Sequence, residues 1–320
     1  MKKKIIVAFM AAVLCMSMIT GCSSKEGTSK TYRVGVCQLV QHVALDAATK
    51  GFEDALKEKL GDAVTFDLQN AQGDSATCST IVNQFVSSNV DLILANATAP
   101  LQAAAAGTTT IPVLGTSITD YASALDIEGW TGVTGRNISG TSDLAPLSEQ
   151  ANMLVELFPQ AQKVGIIYCS AETNSQYQAE VIRRELEAKG LTVEYFTFVD
   201  TNDVAAVARN AADSVEVIYV PTDNTVASNT EIIDSICRPA GVPIIAGEEG
   251  ICANCGVATL SISYYDIGYT TGEMAYEILV NGKDISKMEV RYAPHVTKKY
   301  NAKICAEFGI TLPEGYTAIE

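Results

Sequence analysis

The sequence predicts an α/β protein of two similar Rossmann-like lobes with parallel sheets joined by a hinge. Short runs rich in β-branched residues alternate with amphipathic stretches at helical spacing, the pattern of parallel strands linked by crossover helices. The set then repeats. Val34-Gly35-Val36 and the runs 64–68, 91–94 and 111–114 return as 164–167, 192–196, 216–219 and 242–245. A chain of 320 residues is also long enough for two domains, each with its own core.

The first residues concern location. Lys2, Lys3 and Lys4 precede an apolar run over 5–14 and then Ile19-Thr20-Gly21-Cys22. A charged region, a short apolar region and a small-residue cleavage site make a bacterial lipoprotein signal. The apolar run falls short of the roughly 20 residues that a membrane span requires. Residues 1–21 are therefore expected to be removed, Cys22 to carry the lipid, and 22–30 to serve as a Ser- and Gly-rich tether. The expected location is the extracytoplasmic face of the cell membrane.

Loss of the three signal lysines takes the formal charge from −15 to −18 over 299 residues. So acidic a chain, without a basic stripe interleaved with aromatics, excludes nucleic acid as a partner. Motifs for catalysis are sparse: there is no G-x-S-x-G elbow, P-loop, G-x-G-x-x-G or H-E-x-x-H. No catalytic residue, metal site or cofactor is expected. Of the two histidines, His42 has Asp46 one helical turn on, which suits ligand contact, whereas His295 reads as a surface residue. Cys37, Cys169 and Cys237 lie in apolar patterns and read as buried free thiols. Cys252-Ala253-Asn254-Cys255, read as part of a loop after Gly250, lacks the second ligand pair of a zinc site. It is expected to be a structural disulfide or two unpaired thiols.

In parallel sheets the loops leaving the carboxyl ends of the strands line the ligand crevice. The first strands are followed by 38–42, with Gln38 and His42, and by 170–175, where Asn174 or Ser175 can cap a helix running to Lys189. The third strands lead into 96–100, with Thr98, and 221–225, with Asp223 and Asn224. The fourth lead into 115–120, with Ser117, and 247–250, with Glu248 and Glu249. Hydroxyls on one side and carboxylates on the other suit a zwitterion, whose carboxylate takes O–H and N–H donors while its ammonium takes an anionic acceptor. Asp223 and Glu249 are the candidates for the ammonium.

The same stretches carry a resemblance. Residues 38–52 (QLVQHVALDAATKGF), 69–74 (QNAQGD), 90–105 (VDLILANATAPLQAAA), 132–135 (GVTG), 219–228 (YVPTDNTVAS) and 264–275 (YYDIGYTTGEMA) resemble the ABC-transporter substrate-binding lipoproteins of the tryptophan/tyrosine type. The resemblance implies a type I periplasmic-binding-protein fold that closes on an aromatic amino acid for import by ABC permease subunits. It carries Gln38, Thr98, Ser117, Asn174, Ser175, Asp223 and Asn224 over as crevice positions. It also implies one lobe over 31–137 plus about 263–289 and another over 138–262 plus about 290–320, with a first hinge at 137–141. A helix over 265–281 returns to the first lobe and a helix over 299–308 lies in the tail. Tyr121, Trp130, Tyr264 and Tyr265 are available as flat walls for an aromatic ligand.

The expected function is thus a monomeric solute-binding lipoprotein that performs no chemistry. Within the binding class a branched-chain amino acid or a nucleoside is the alternative solute. Outside it stand a surface enzyme using Cys252 and Cys255 or His42, and an adhesin or sensor built on the same fold.

Overall fold

The structure, a computed structural model, describes residues 30–293 and 295–319. The signal over 1–21, Cys22 and the tether as far as residue 29 lie outside the described residues.

The first half alternates as its hydrophobic pattern demands. β1 (Tyr32–Gln38), α1 (Val43–Leu60), β2 (Val64–Asn70), α2 (Ser75–Ser87), β3 (Leu92–Asn96), α3 (Thr98–Gly107), β4 (Val113–Ile118), α4 (Tyr121–Leu125) and β5 (Ile138–Ser142) follow one another. The second half repeats the alternation with α5 (Leu147–Leu157), β6 (Lys163–Cys169), α6 (Thr173–Ala188), β7 (Thr192–Phe198), α7 (Val204–Ser214) and β8 (Val217–Val220). It continues through α8 (Asn224–Ala227), α9 (Thr230–Cys237), β9 (Ile244–Ala246), α10 (Glu249–Cys255) and β10 (Ala258–Ser261). Then come α11 (Tyr264–Leu279), β11 (Arg291–Tyr292), β12 (Thr297–Tyr300), α12 (Ala302–Phe308) and β13 (Thr317–Ala318).

Two sheets result, ordered β11-β5-β4-β3-β1-β2 and β13-β12-β10-β9-β8-β6-β7. The duplication is visible in the shared kernels 2-1-3-4-5 and 7-6-8-9-10. Pairing is parallel within both kernels, and β12 runs antiparallel to β10. Each sheet is buried on both faces, so its inner strands are continuous apolar runs. In β1, Val34 and Val36 pack with Phe52 and Leu94 on one face while Cys37 packs with Phe85 and Ile93 on the other.

Helices α1 and α11 pack with very little separation. A Cβ on Gly268 would stand 2.0 Å from the Ala48 carbonyl oxygen, and one on Gly51 would stand 2.1 Å from that of Tyr265. Only glycine lets the two backbones approach so closely.

Several expectations are corrected. Each half has a fifth strand, so residues 138–142 are not a hinge: β5 pairs with β4 inside the first sheet. The break expected at 137/138 falls after Ser142. Its residues, Ile-Ser-Gly-Thr-Ser, carry too few apolar side chains to read as a strand. Residues 297–300 form β12, so the tail helix starts at Ala302 rather than 299, and α11 spans Tyr264–Leu279. The CxxC lies in helix α10, not in a loop. The chain crosses between the sheets three times: after β5, between β10 and α11, and between β11 and β12.

Candidate functional site

The carboxyl ends of the two kernels face each other across a crevice with two compartments. The inner one is lined by His42, Leu45, Ser117, Thr119 and Asp143, which precede α5, and by Asn174, Thr222, Asp223, Asn224, Ala227, Glu248 and Tyr264. The outer one, about 280 Å3, is lined among others by Leu39, Val40, Asp74, Thr98, Gln102, Glu172, Val199 and Thr225. Asn174 and Asn224 belong to both. The inner compartment holds about 10 Å3, room for one water-sized group.

Three carboxyl groups meet at the inner compartment. Asp223 is the N-cap of α8, its Oδ1 accepting from Val226 N at 2.8 Å while its Oδ2 accepts from Cys169 N at 2.7 Å. Burial, with the Glu172 charge nearby, pushes its pKa up to about 7 despite those backbone donors. Glu248 caps α10, accepting from Gly250 N at 2.6 Å and Ile251 N at 2.5 Å, and burial pushes it up to about 7 as well. Asp143 is fully buried, accepting from Thr119 Oγ1 at 3.2 Å and from the Tyr264 hydroxyl at 2.9 Å, and burial raises it too. Among the described residues no lysine or arginine lines this compartment.

The first-lobe wall, where Asp143 lies beside Thr119, also offers donors. Ser117 adopts φ 56°, a left-handed conformation for a serine, and its buried hydroxyl has no hydrogen-bond partner. His42, the N-cap residue of α1, brings Nε2 to within 3.2 Å of Asn224 Oδ1 across the crevice. Burial lowers the His42 pKa, against the Asn224 bond and the charges of Glu172 and Asp46. Asn224 is itself held, its backbone N and Nδ2 donating to Glu172 Oε2 at 3.0 and 2.7 Å.

The nine predicted ligand residues therefore divide. His42, Ser117, Asn174, Asp223 and Asn224 line the inner compartment and Thr98 the outer. Gln38 is consumed within its own lobe, donating to Val40 O and Asp46 Oδ1 and accepting from Thr49 Oγ1. Ser175 is wholly buried behind Asn174, whose Nδ2 donates to its hydroxyl at 3.3 Å. The cap of α6 is Glu172, not Asn174 or Ser175. Glu249 turns away to pair with Lys299 at 2.8 Å and to accept from the Ser261 hydroxyl, so Glu248 is the acid facing the crevice. Helix phase decides this, because adjacent residues at a helix start point about 100° apart.

Asp143 and Thr119 escaped the sequence reading. Asp143 follows β5, whose polar sequence hid the strand, and β4 extends to Ile118, so Ser117 lies inside a strand rather than after it. Of the four aromatic candidates only Tyr264 reaches the inner compartment. Tyr121 is a core staple, donating to the Gly115 and Thr141 carbonyls and stacking on Trp130 at 6.3 Å. Tyr265 donates to Asp54 on α1 and lines a groove of about 610 Å3 that shares Glu248 and Tyr264 with the inner compartment and also takes in exposed His295. Cys37, Cys169 and Cys237 are buried and free, as expected, and so are Cys252 and Cys255.

Two α/β lobes, crossed three times by the chain and enclosing a polar crevice at their strand ends, define a solute-binding protein of the periplasmic type. The chain belongs to the family of ABC transporter substrate binding proteins, whose pattern it matches over residues 33–318. It is 35% identical over 302 residues to the tyrosine-binding protein of Clostridioides difficile strain R20291, an alignment covering 90% of this chain and 87% of that one. An ABC domain from Streptococcus pneumonia in complex with L-Trp superposes with a TM-score of 0.86 at 32% identity, covering 91% of this chain and all of the other. The ligand-free, open structure of a substrate-binding protein with adhesive properties from Clostridium difficile scores 0.69 at 33% identity, covering 91% and 99%. No helix among the described residues is long and apolar enough to cross a membrane.

Proposed function

We propose that the protein captures an aromatic amino acid, tyrosine or tryptophan, between its lobes, and hands it to the permease of an ABC importer without chemical change. The observation that carries this reading is the division of the inner compartment: the unpartnered Ser117 hydroxyl on the first-lobe wall, with Asp143 beside it, and buried Asp223 and Glu248 with no basic side chain on the second-lobe wall. A zwitterion's carboxylate takes the hydroxyl side and its ammonium the acidic side. Its side chain extends past Asn174 and Asn224 into the outer compartment, where Leu39, Val40, Ala99 and Val199 supply apolar surface. Relatives that bind tyrosine and L-Trp support the choice of ligand. Lipidation at Cys22 holds the protein, as a monomer, at the extracytoplasmic face of the membrane.

The test is thermal melting of the purified protein against the twenty amino acids, nucleosides and sugars. A ligand at a thousandfold excess over Kd stabilises by about 4 kcal/mol, so the true solute stands clear of the rest. A shift with tyrosine or tryptophan that Asp223→Asn diminishes supports the reading. No shift with any aromatic amino acid removes it, and a shift confined to leucine, isoleucine, valine or a nucleoside reassigns the solute. Replacing Cys22 with serine should release the protein from the membrane fraction if that residue carries the anchor.

A further inference from the structure

The inner compartment is more acidic than an α-amino acid requires. One zwitterion brings one positive and one negative group, yet three buried carboxyl groups, Asp143, Asp223 and Glu248, line the space. The charged neighbours do not redress the balance. Glu172 and Asp46 act on His42 as further negative charges, and the Glu249 carboxylate beside Glu248 is spent on Lys299. His42 is the sole basic side chain lining the compartment among the described residues, and burial favours its neutral form. Tyr264 donates its hydroxyl to Asp143.

Donors for a ligand carboxylate are correspondingly few. The Thr119 hydroxyl donates to Asp143, the Asn174 amide donates to the Thr222 carbonyl, and the His42 imidazole meets Asn224. The Thr222 hydroxyl donates to the Gly247 carbonyl at 3.5 Å, which leaves the buried Ser117 hydroxyl as the unpartnered one among the described residues of the lining. An ammonium carries three N–H donors to set against three acids.

We infer that the site is selective for a primary ammonium and treats the α-carboxylate as dispensable, so that arylalkylamines, the decarboxylated counterparts of the aromatic amino acids, are a second class of ligand. This rests on the reading of the crevice as the solute site and extends its ligand range. An amine adds a net positive charge to the acidic compartment, whereas a zwitterion adds none. As pH rises and the buried acids ionise, the amine gains on the amino acid.

The experiment is calorimetric titration of the purified protein with tyrosine, tyramine and 3-(4-hydroxyphenyl)propionate at pH 6 and pH 8. The expected result is tyramine binding within about tenfold of tyrosine at pH 6, with the tyramine-to-tyrosine Kd ratio falling at least about threefold by pH 8. The propionate, which lacks the ammonium, should not bind. Ser117→Gly, which suits the left-handed backbone there, should weaken tyrosine about tenfold more than tyramine. Glu248→Gln should weaken both and flatten the pH trend. Tyrosine binding with tyramine more than about a hundredfold weaker at both pH values overturns the inference and leaves the amino-acid reading intact. Tyramine binding without tyrosine supports the inference and removes that reading, and binding of neither removes both.

Discussion

His42 Nε2 lies 3.2 Å from Asn224 Oδ1, tying the N-terminus of α1 in the first lobe to that of α8 in the second. The bond stands where the inner and outer compartments meet, because Asn224 lines both. The bond joins the two lobes, so hinge opening parts the pair and closure re-forms it. Glu172 fixes the Asn224 end with two hydrogen bonds, leaving little freedom to adapt if the imidazole is lost.

His42→Ala should therefore favour open lobes. One part-buried hydrogen bond contributes about 1 kcal/mol, so ligand affinity should fall roughly fivefold. Small-angle scattering without ligand should report a larger radius of gyration than for the parent. Unchanged scattering and affinity would show that other contacts hold the lobes.

Glu248 gives a pH signature in stability. Its carboxyl is raised by burial from 4.5 to about 7 in the folded protein. A raised carboxyl pKa means that the folded state holds its proton more tightly than the unfolded chain does. Its contribution is therefore full below pH 4.5 and is lost as pH climbs through 7. The glutamine variant lacks that loss. The stability of Glu248→Gln relative to the parent should increase from pH 5 to pH 8, by an amount on the order of 3 kcal/mol at most. Denaturant unfolding at both pH values measures it, and a pH-independent difference would contradict the assignment.

Gly268→Ala tests the α1/α11 contact. The added methyl would stand 2.0 Å from the Ala48 carbonyl oxygen, a backbone atom that cannot swing aside. The helices must separate, at a cost of about 2–3 kcal/mol. The melting temperature should drop by several degrees. Gly61→Ala, at a helix end with open space around it and φ 54°, should cost less, since only backbone strain is introduced there.

The cysteine pair in α10 should prove inert. Cys252 and Cys255 are buried and free, and burial holds both thiols above their ordinary pKa. The thiolate is the reactive form. Maleimide should modify neither until the protein unfolds, and replacing both with serine should leave solute affinity unchanged. Rapid labelling of the native protein would reopen a thiol-based role.

The architecture was largely legible because burial leaves a periodic trace. Strands covered on both faces must be apolar throughout, and helices must show one apolar stripe, so the duplicated runs from Val34 and Val164 mark the two lobes without any tertiary information. The same trace fails at β5, where Ser139 and Thr141 are buried by hydrogen bonding: the Ser139 hydroxyl donates to Met288 O at 2.9 Å and that of Thr141 meets Thr271 at 2.8 Å.

For the site, sequence by itself determined which loops face the crevice, because the carboxyl ends of parallel strands face it in any fold of this kind. It thereby located His42, Thr98, Ser117, Asn174, Asp223 and Asn224. Only the tertiary structure decided between neighbours and between roles. Glu248 rather than Glu249 faces the crevice, because Lys299, 50 residues away, claims the second carboxylate. Gln38 is spent inside its lobe by Asp46 and Thr49. Tyr121 and Trp130 belong to a core, and Asp143 joins the acids because β5 pairs with β4 and sets it against Ile118 and Thr119. Periodic burial is a local property that a sequence records directly. The partner of each polar group is fixed by contacts between distant segments, which exist only once the chain has folded.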